Sequence, residues 1–270
     1  MTTSPMLIAR ELRESVIAIA RAAAADILAV YEGAFDVEQK DDRSPLTAAD
    51  LAAHHRIVDG LQTLTPDIPV LSEESTAIDI AQRRTWSRFW LVDPLDGTRE
   101  FIKRNGEFTV NIALIEDGVA TFGVIQQPVT GGLWHGTLGD GAFRRNAESN
   151  VDAAIHVRKP ASAPLRIAAS RSHRNERTQM LLDALVGSQA IACGSSLKFC
   201  LIAEGQLDLY PRFGPTGEWD TAAGQAILEA AGGGVLDLRG RPFRYNQRDT
   251  LLNGEFIAFG DVALRDSLPA

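Results

Sequence analysis

Cysteine is scarce in this chain: Cys193 and Cys200 are the only two among 270 residues. Two cysteines cannot build a four-thiolate metal site or a disulfide framework, and a reducing cytoplasm is the simplest setting for such a chain. A basic excess is also missing. Lys and Arg number 27 against 35 Asp and Glu, for a net charge of -8. A nucleic-acid polymer needs a basic face, so no such partner is expected. Small phosphorylated ligands remain allowed, because a metal ion and a few basic groups can meet their charge locally. Long apolar runs are absent too. The Ala-rich stretch 16–30 is interrupted by Arg21 and Asp26, and no basic segment followed by an apolar one opens the chain. Neither secretion nor a transmembrane segment is expected.

What is present is ordinary globular material: 45% hydrophobic residues over this length can bury a large core, as one big domain or two small ones. Ile8, Leu12, Val16, Ile19, Ala23, Ile27 and Val30 recur at spacings of three and four, the stripe of an amphipathic helix that covers a sheet. Thr47-Ala48-Ala49-Asp50, just after Pro45, marks the start of a second helix near Thr47, with Leu51, Val58, Leu61 and Leu64 as its apolar positions. The period then changes. Strands are predicted over 70–71, 89–92, 109–115 and 121–126, with Asp117-Gly118 as a hairpin turn, and 133–136 and 142–143 extend the same sheet. Beyond 151 the pattern alternates: strand 165–169, helix 176–185, strand 191–193, helix 196–204, strand 207–210, then a helix over 221–231 ending in Gly232-Gly233-Gly234. The expected fold class is α/β (α+β), with two packed α/β halves, an N-terminal one over 1–150 and a C-terminal one over 151–270.

Trp90-Leu91-Val92-Asp93-Pro94-Leu95-Asp96-Gly97-Thr98 is the segment richest in chemistry. An apolar strand ends in two carboxylates separated by Pro-Leu, with Pro94 expected to fix a turn and Gly97 to let the chain approach an ion or phosphate. Asp93 and Asp96 can grip a hard cation such as Mg²⁺ together, and the Leu95 carbonyl is a further oxygen ligand between them. Asp, Pro and Gly also make common surface turns. The position directly after a buried strand favours the metal, since ligand sites of α/β sheets collect there.

Other carboxylates are weak signals singly. Asp50 stands three residues after Thr47 and could simply complete a capping box. Glu73 and Glu74 follow the apolar run Pro69-Val70-Leu71, and Asp220 could be the N-cap of its helix. Together, Asp50, Glu73, Asp93, Asp96 and Asp220 all fall at strand ends or helix starts, and their clustered charges would need cations. Two or three Mg²⁺ ions would roughly neutralise them, and a two-metal site suits phosphoryl transfer.

Pro69-Val70-Leu71-Ser72-Glu73-Glu74, Asp93-Pro94-Leu95-Asp96-Gly97-Thr98 and Trp219-Asp220-Thr221-Ala222-Ala223-Gly224 resemble the three signature motifs of the inositol monophosphatase superfamily. More narrowly, the segments 44–50, 100–115, 194–200 (Gly194-Ser195-Ser196-Leu197-Lys198-Phe199-Cys200) and 210–216 are similar to those of its bacterial 3'(2'),5'-bisphosphate nucleotidases. The resemblance covers nearly the whole chain and implies a layered αβαβα sandwich. It implies that Glu73, Asp93 and the Leu95 carbonyl hold one Mg²⁺, and that Asp93, Asp96 and Asp220 hold a second. Thr98 with Glu73 would position and help deprotonate the attacking water, and Asp50 would act through a water at a third, weaker ion. Substrate contacts would come from Asp96, Gly97, Thr98, His173, Ser195, Lys198, Arg212 and Asp220. Arg99, where a lysine is often found, and Gln127 before Pro128, where alanine is common, depart from the family pattern without touching a metal ligand.

Read from spacing alone, Gly194-Ser195-Ser196 before a helix is either an ordinary Ser N-cap beside a surface lysine or an anion site at a helix start. The resemblance favours the anion, with Lys198 and Arg212 receiving the phosphate that is not cleaved. His54, His55 and His135 lack partners at metal-ligand spacing and are expected to pack or face solvent. Cys193 and Cys200 are expected to be buried apolar residues. The activity implied is hydrolysis of adenosine 3',5'-bisphosphate to AMP and phosphate, which clears a by-product of sulfate assimilation and is inhibited by Li⁺. The rivals are a sugar phosphatase acting on inositol monophosphate or fructose 1,6-bisphosphate, and a catalytically silent binding protein on the same fold. The resemblance also implies a cytoplasmic protein, with weak attachment to the inner membrane's cytoplasmic face allowed, and leaves the oligomeric state open.

Overall fold

The computed structural model describes residues 8–34, 36–39, 45–75, 79–148, 150–170 and 175–268. Helix α1 (Arg10–Tyr31) buries Val16, Ala23 and Ile27 of the predicted stripe together with Ile17, Ala20 and Ala24, while Leu12, Ile19 and Val30 are only partly buried. Strand β1 (Val37–Gln39) pairs antiparallel with β2 (Pro45–Thr47), which leads into α2 (Ala48–Leu64). The capping box at Thr47 is formed: Ala49 N donates to Thr47 Oγ1 at 3.2 Å, and Thr47 N donates to Asp50 Oδ2 at 2.8 Å.

A seven-stranded sheet follows in chain order: β3 (Val70–Ser72), β4 (Arg88–Asp96), β5 (Thr109–Glu116), β6 (Val119–Gln126), β7 (Leu133–Thr137), β8 (Gly141–Arg145) and β9 (Asp152–Ile155). Only the β3–β4 pair is parallel, and its crossover carries α3 (Ile80–Arg83); the rest is an antiparallel meander. Asp117 (φ 48°) and Gly118 (φ 77°) make the expected tight turn between β5 and β6, with the two positive φ angles of a type I′ hairpin. Alternate residues of the central strands enter two cores. Trp90, Val92, Ile112 and Leu114 pack beneath α1 and α2, while Phe89, Leu91, Ala113 and Ile115 face the opposite side.

α4 (Thr98–Ile102) leaves the end of β4. The remaining chain forms β10 (Arg166–Ser170), α5 (Glu176–Ala184), β11 (Gln189–Cys193), α6 (Leu197–Ala203), β12 (Leu209–Arg212), β13 (Thr216–Gly217), α7 (Trp219–Ala230), β14 (Gly234–Asp237), β15 (Leu252–Asn253) and β16 (Phe256–Phe259). Five of these strands make a second, mixed sheet in the order β11-β10-β12-β16-β14, and β13 pairs with β15 apart from it. α6 and α7 fill the space between the sheets, where Phe199, Ala226 and Ile227 join Leu91 and Ala113 of the first with Tyr210 and Phe256 of the second. α5 covers the outer face of the second sheet, with Leu182 against Ile167, Leu209 and Phe259. The layers therefore run α, β, α, β, α, as expected. β9 lies beyond residue 150 and still pairs in the first sheet, so the chain changes sheets only after Ile155.

α7 sits unusually close to the first sheet because two strand glycines leave room for its backbone. A Cβ at Gly123 would lie 2.4 Å from Ala223 O, and one at Gly136 would lie 2.8 Å from Ile227 Cα. This contact seats the helix that carries Asp220. Gly123→Ala is expected to destabilise the fold by about 1–3 kcal/mol through overpacking. Urea unfolding measures this, and an unchanged midpoint would contradict such tight seating.

Candidate metal centre

β4 does not turn at Pro94, as its sequence leads one to expect. Asp93 pairs with Asn111 and Asp96 with Thr109, so three steps along β4 face two along β5. Pro94-Leu95 therefore form a bulge, where proline is tolerated within a sheet. In a regular strand, residues three apart point to opposite faces. The extra residue cancels that reversal, and oxygens of Asp93, Asp96 and Asp220 all lie within 4.8 Å of one another. Leu95 N donates to Asp93 Oδ1 at 3.1 Å and holds the bulge closed.

Gly97 follows in the left-handed region (φ 95°), and a Cβ there would meet Glu107 O at 3.1 Å and Ser195 Cβ at 3.3 Å. This turn starts α4 with Thr98. The Thr98 Oγ1 lies 3.3 Å from Asp50 Oδ1 and 3.4 Å from Leu95 O. Asp50 therefore does two things with two oxygens: Oδ2 caps α2, accepting from Thr47 N and Oγ1, and Oδ1 faces Thr98. Glu73 extends the parallel pairing of β3, its N–H donating to Val92 O at 3.0 Å, which puts it beside Asp93.

Asp220 is not the N-cap of α7. That position is Glu218, whose side chain makes no capping bond, and Asp220 lies inside the first turn. Its Oδ2 accepts from Gly217 N at 2.8 Å. The sequence reading missed two residues that hold Asp96. Ser196 Oγ donates to Asp96 Oδ2 at 2.6 Å, and Asn111 Nδ2 lies 3.4 Å from the same oxygen and 2.9 Å from Ser196 Oγ. The available signal was Thr109 and Asn111, two polar residues two apart in an apolar strand. Ser196 occupies the N-cap of α6 without capping it.

Burial raises the carboxyls of this cluster. Asp93 stands well above the usual range, from desolvation first and then from Glu73, Asp96 and Asp220. Asp220 is pushed up to about 8 by desolvation, with Asp96 and Glu73 adding to it. Asp96 is raised by burial but held back by the Ser196 hydrogen bond, the Lys198 charge and Asn111. Hard oxygen donors, crowded charge and the Leu95 carbonyl in the same wall fit a divalent cation such as Mg²⁺.

Glu73, Asp93, Asp96, Thr98 and Asp220 share a cavity of about 250 Å³ with Ser195, Lys198 and Arg212. Lys198 is buried; its Nζ donates to Ser195 O at 2.5 Å and lies 4.9 Å from the centre of the Tyr210 ring. Arg212 Nη2 donates to Pro215 O at 2.9 Å, and its Nε is buried with no hydrogen-bond partner. His173 lies outside the described residues. His54 Nδ1 is 2.9 Å from Ser72 Oγ and its ring is 5.4 Å from that of His55; His135 is buried against Phe143. Cys193 and Cys200 are free and buried, and burial raises the Cys200 thiol far above its usual range. These five residues remain outside the centre.

Residues 9–261 match the inositol monophosphatase family, and the chain belongs to that family. It is 51% identical to the 3'(2'),5'-bisphosphate nucleotidase CysQ of Escherichia coli (strain K12), over 90% of this chain and 97% of that protein. Identity to the same enzyme of Salmonella typhimurium is 52%, with the same coverage. Among solved structures, CysQ from Bacteroides thetaiotaomicron is 42% identical with a TM-score of 0.80, covering 93% of this chain and 97% of that one. Thermotoga maritima IMPase reaches 0.80 at 23% identity over 96% of this chain and 95% of its own, a likeness of fold. Among the described residues, no helix is long and apolar enough to cross a membrane.

A folded-state carboxyl at about 8 against 3.8 keeps a proton that the unfolded chain releases, so the parent loses stability as pH rises through this window. In chelator, thermal unfolding of the parent should fall progressively below that of Asp220→Asn from about pH 4 to 8, and added Mg²⁺ should reverse the order. A difference independent of pH would contradict the raised carboxyl.

Proposed function

We propose that this chain is a Mg²⁺-dependent phosphatase that hydrolyses adenosine 3',5'-bisphosphate to AMP and phosphate in the cytoplasm, clearing a by-product of sulfate assimilation. The observation that carries the reading is the three-carboxylate cluster in a cavity shared with Ser195, Lys198 and Arg212. Identity of about half to the CysQ nucleotidases over nearly their whole length supports the substrate.

Glu73, Asp93 and the Leu95 carbonyl would hold one ion, Asp93, Asp96 and Asp220 a second, and a third weaker site would lie near Asp50. Bound Mg²⁺ supplies charge neutralisation at the phosphoryl oxygens and lowers the pKa of an attacking water. The chain's own residues do the rest. Thr98 Oγ1 donates to Asp50 Oδ1, which leaves its lone pairs to accept a proton from water while Asp50 takes the hydroxyl proton in turn. Glu73 faces the same water from the end of β3. No covalent intermediate is required. The N-terminal half would supply Glu73, Asp93, Leu95 and Asp96; the C-terminal half would supply Asp220, Ser195, Lys198 and Arg212. Arg212 offers its unpaired Nε to the uncleaved phosphate, and Lys198 reaches the same anion by leaving the Ser195 carbonyl.

Phosphate release should favour adenosine 3',5'-bisphosphate over inositol 1-phosphate and fructose 1,6-bisphosphate by about tenfold or more in kcat/KM. A preference for either sugar phosphate would sink this reading. Chelator or Asp93→Ala should abolish turnover with the fold intact; undiminished turnover would remove the metal centre from the account. Thr98→Ala is expected to lower kcat about 10²-fold with little change in KM, and steady-state kinetics showing only a KM effect would displace Thr98 from the water.

A further inference from the structure

Glu218 precedes Asp220 by two residues and is fully buried, yet its carboxylate neither caps α7 nor belongs to the metal cluster. Burying a charge there is costly unless its partners are well placed. Those partners come from the loop before β15. Asn246 N donates to Glu218 Oε2 at 2.7 Å, and Arg248 Nη2 donates to Oε1 at 2.7 Å. Arg248 Nη2 also donates to Asn253 Oδ1 at 2.8 Å, and Asn253 Nδ2 donates to Gly217 O at 2.8 Å and Thr221 Oγ1 at 2.9 Å. Both faces of the Gly217–Thr221 turn are thereby held.

Behind this loop stands Arg83, the last residue of α3 and almost completely buried. Its guanidinium donates to Asn246 Oδ1 at 2.5 Å and to the carbonyls of Arg248 (2.8 Å) and Asp249 (2.5 Å). Asn246 Nδ2 donates back to Arg83 O at 2.6 Å. The crossover between β3 and β4, whose strands present Glu73 and Asp93, is thus tied through buried hydrogen bonds to the turn that presents Asp220.

We propose that Glu218, backed by Arg248, Asn246 and Arg83, is a positioning residue for the metal: it fixes the turn in which Gly217 N holds Asp220 Oδ2, so that the Asp220 carboxylate faces Asp93 and Asp96. The proposal rests on the reading of Asp220 as a metal ligand. Groups behind metal ligands are part of the site energetically, and their loss typically weakens metal binding 10–100-fold. Glu218→Gln keeps the shape but turns an amide donor toward donors that the carboxylate accepted from.

Calorimetric titration of Mg²⁺ alone into the metal-stripped full chain tests this, with steady-state kinetics on adenosine 3',5'-bisphosphate beside it. Glu218→Gln should weaken Mg²⁺ binding about tenfold or more, while KM for the nucleotide at saturating Mg²⁺ stays within about twofold. If circular dichroism shows that Glu218→Gln does not fold, Arg248→Met reads the same coupling from a side chain that is partly exposed. A folded variant with Mg²⁺ affinity within about twofold of the parent overturns the proposal. Asp220→Asn separates the two levels: Mg²⁺ binding there with the parent's affinity at both ion sites refutes the metal ligand itself, whereas loss of the second site there with unchanged affinity in Glu218→Gln and Arg248→Met refutes only the positioning.

Discussion

The mutual repulsion of Asp93, Asp96 and Asp220 is the constraint on which the rest of the structure depends. At separations of up to 4.8 Å, and with an effective dielectric of about 20, each ionised pair costs about 3–4 kcal/mol. Three such pairs sum to about 10 kcal/mol, as large as the whole stability of an ordinary domain. Protons or cations must relieve it. The raised carboxyls show the first remedy, and the hard oxygen donors invite the second.

Holding such a cluster together takes backbone that cannot relax away. The β4 bulge turns Asp93 and Asp96 to one side, and Leu95 N pins it. Ser196 and Asn111 fix Asp96 from the second helical layer and from β5. Asp220 arrives on α7, whose backbone is set against the first sheet at Gly123 and Gly136. Because α7 is packed between two sheets, moving Asp220 away would open the central core, so packing energy is set against charge repulsion. The same layering brings Ser195, Lys198 and Arg212 to the cavity, so two basic side chains line the same pocket as the carboxylates.

Local signals were legible in the sequence where the physics is local. The α1 stripe, the Thr47–Asp50 capping box and the Asp117-Gly118 turn are each decided within a few residues. The bulge was not, because Asp-Pro-Leu-Asp-Gly has the composition of a turn and only pairing with Thr109 and Asn111 makes it a strand. Asp220 resembled an N-cap for the same reason: an acidic residue near a helix start reads alike at either position. Ser196 stood out only as a helix-start residue, because Asp96, the carboxylate it holds, lies 100 residues away. Lys198 lines the cavity, and its hydrogen bond to the Ser195 carbonyl depends on a backbone turn with φ 46° that spacing does not reveal. The clustered carboxylates Asp93, Asp96 and Asp220 were nevertheless legible as candidates, since they stand at a strand end and a helix start, whereas the residues that aim them can be any polar group that reaches.

Proton release on metal binding tests the central claim most directly. Mg²⁺ titrated into the metal-stripped protein near neutral pH, in two buffers of different ionisation enthalpy, gives the number of protons expelled. The account predicts net release, because the cluster holds protons that the cation must displace. Binding without proton release, or no binding at all, would contradict it.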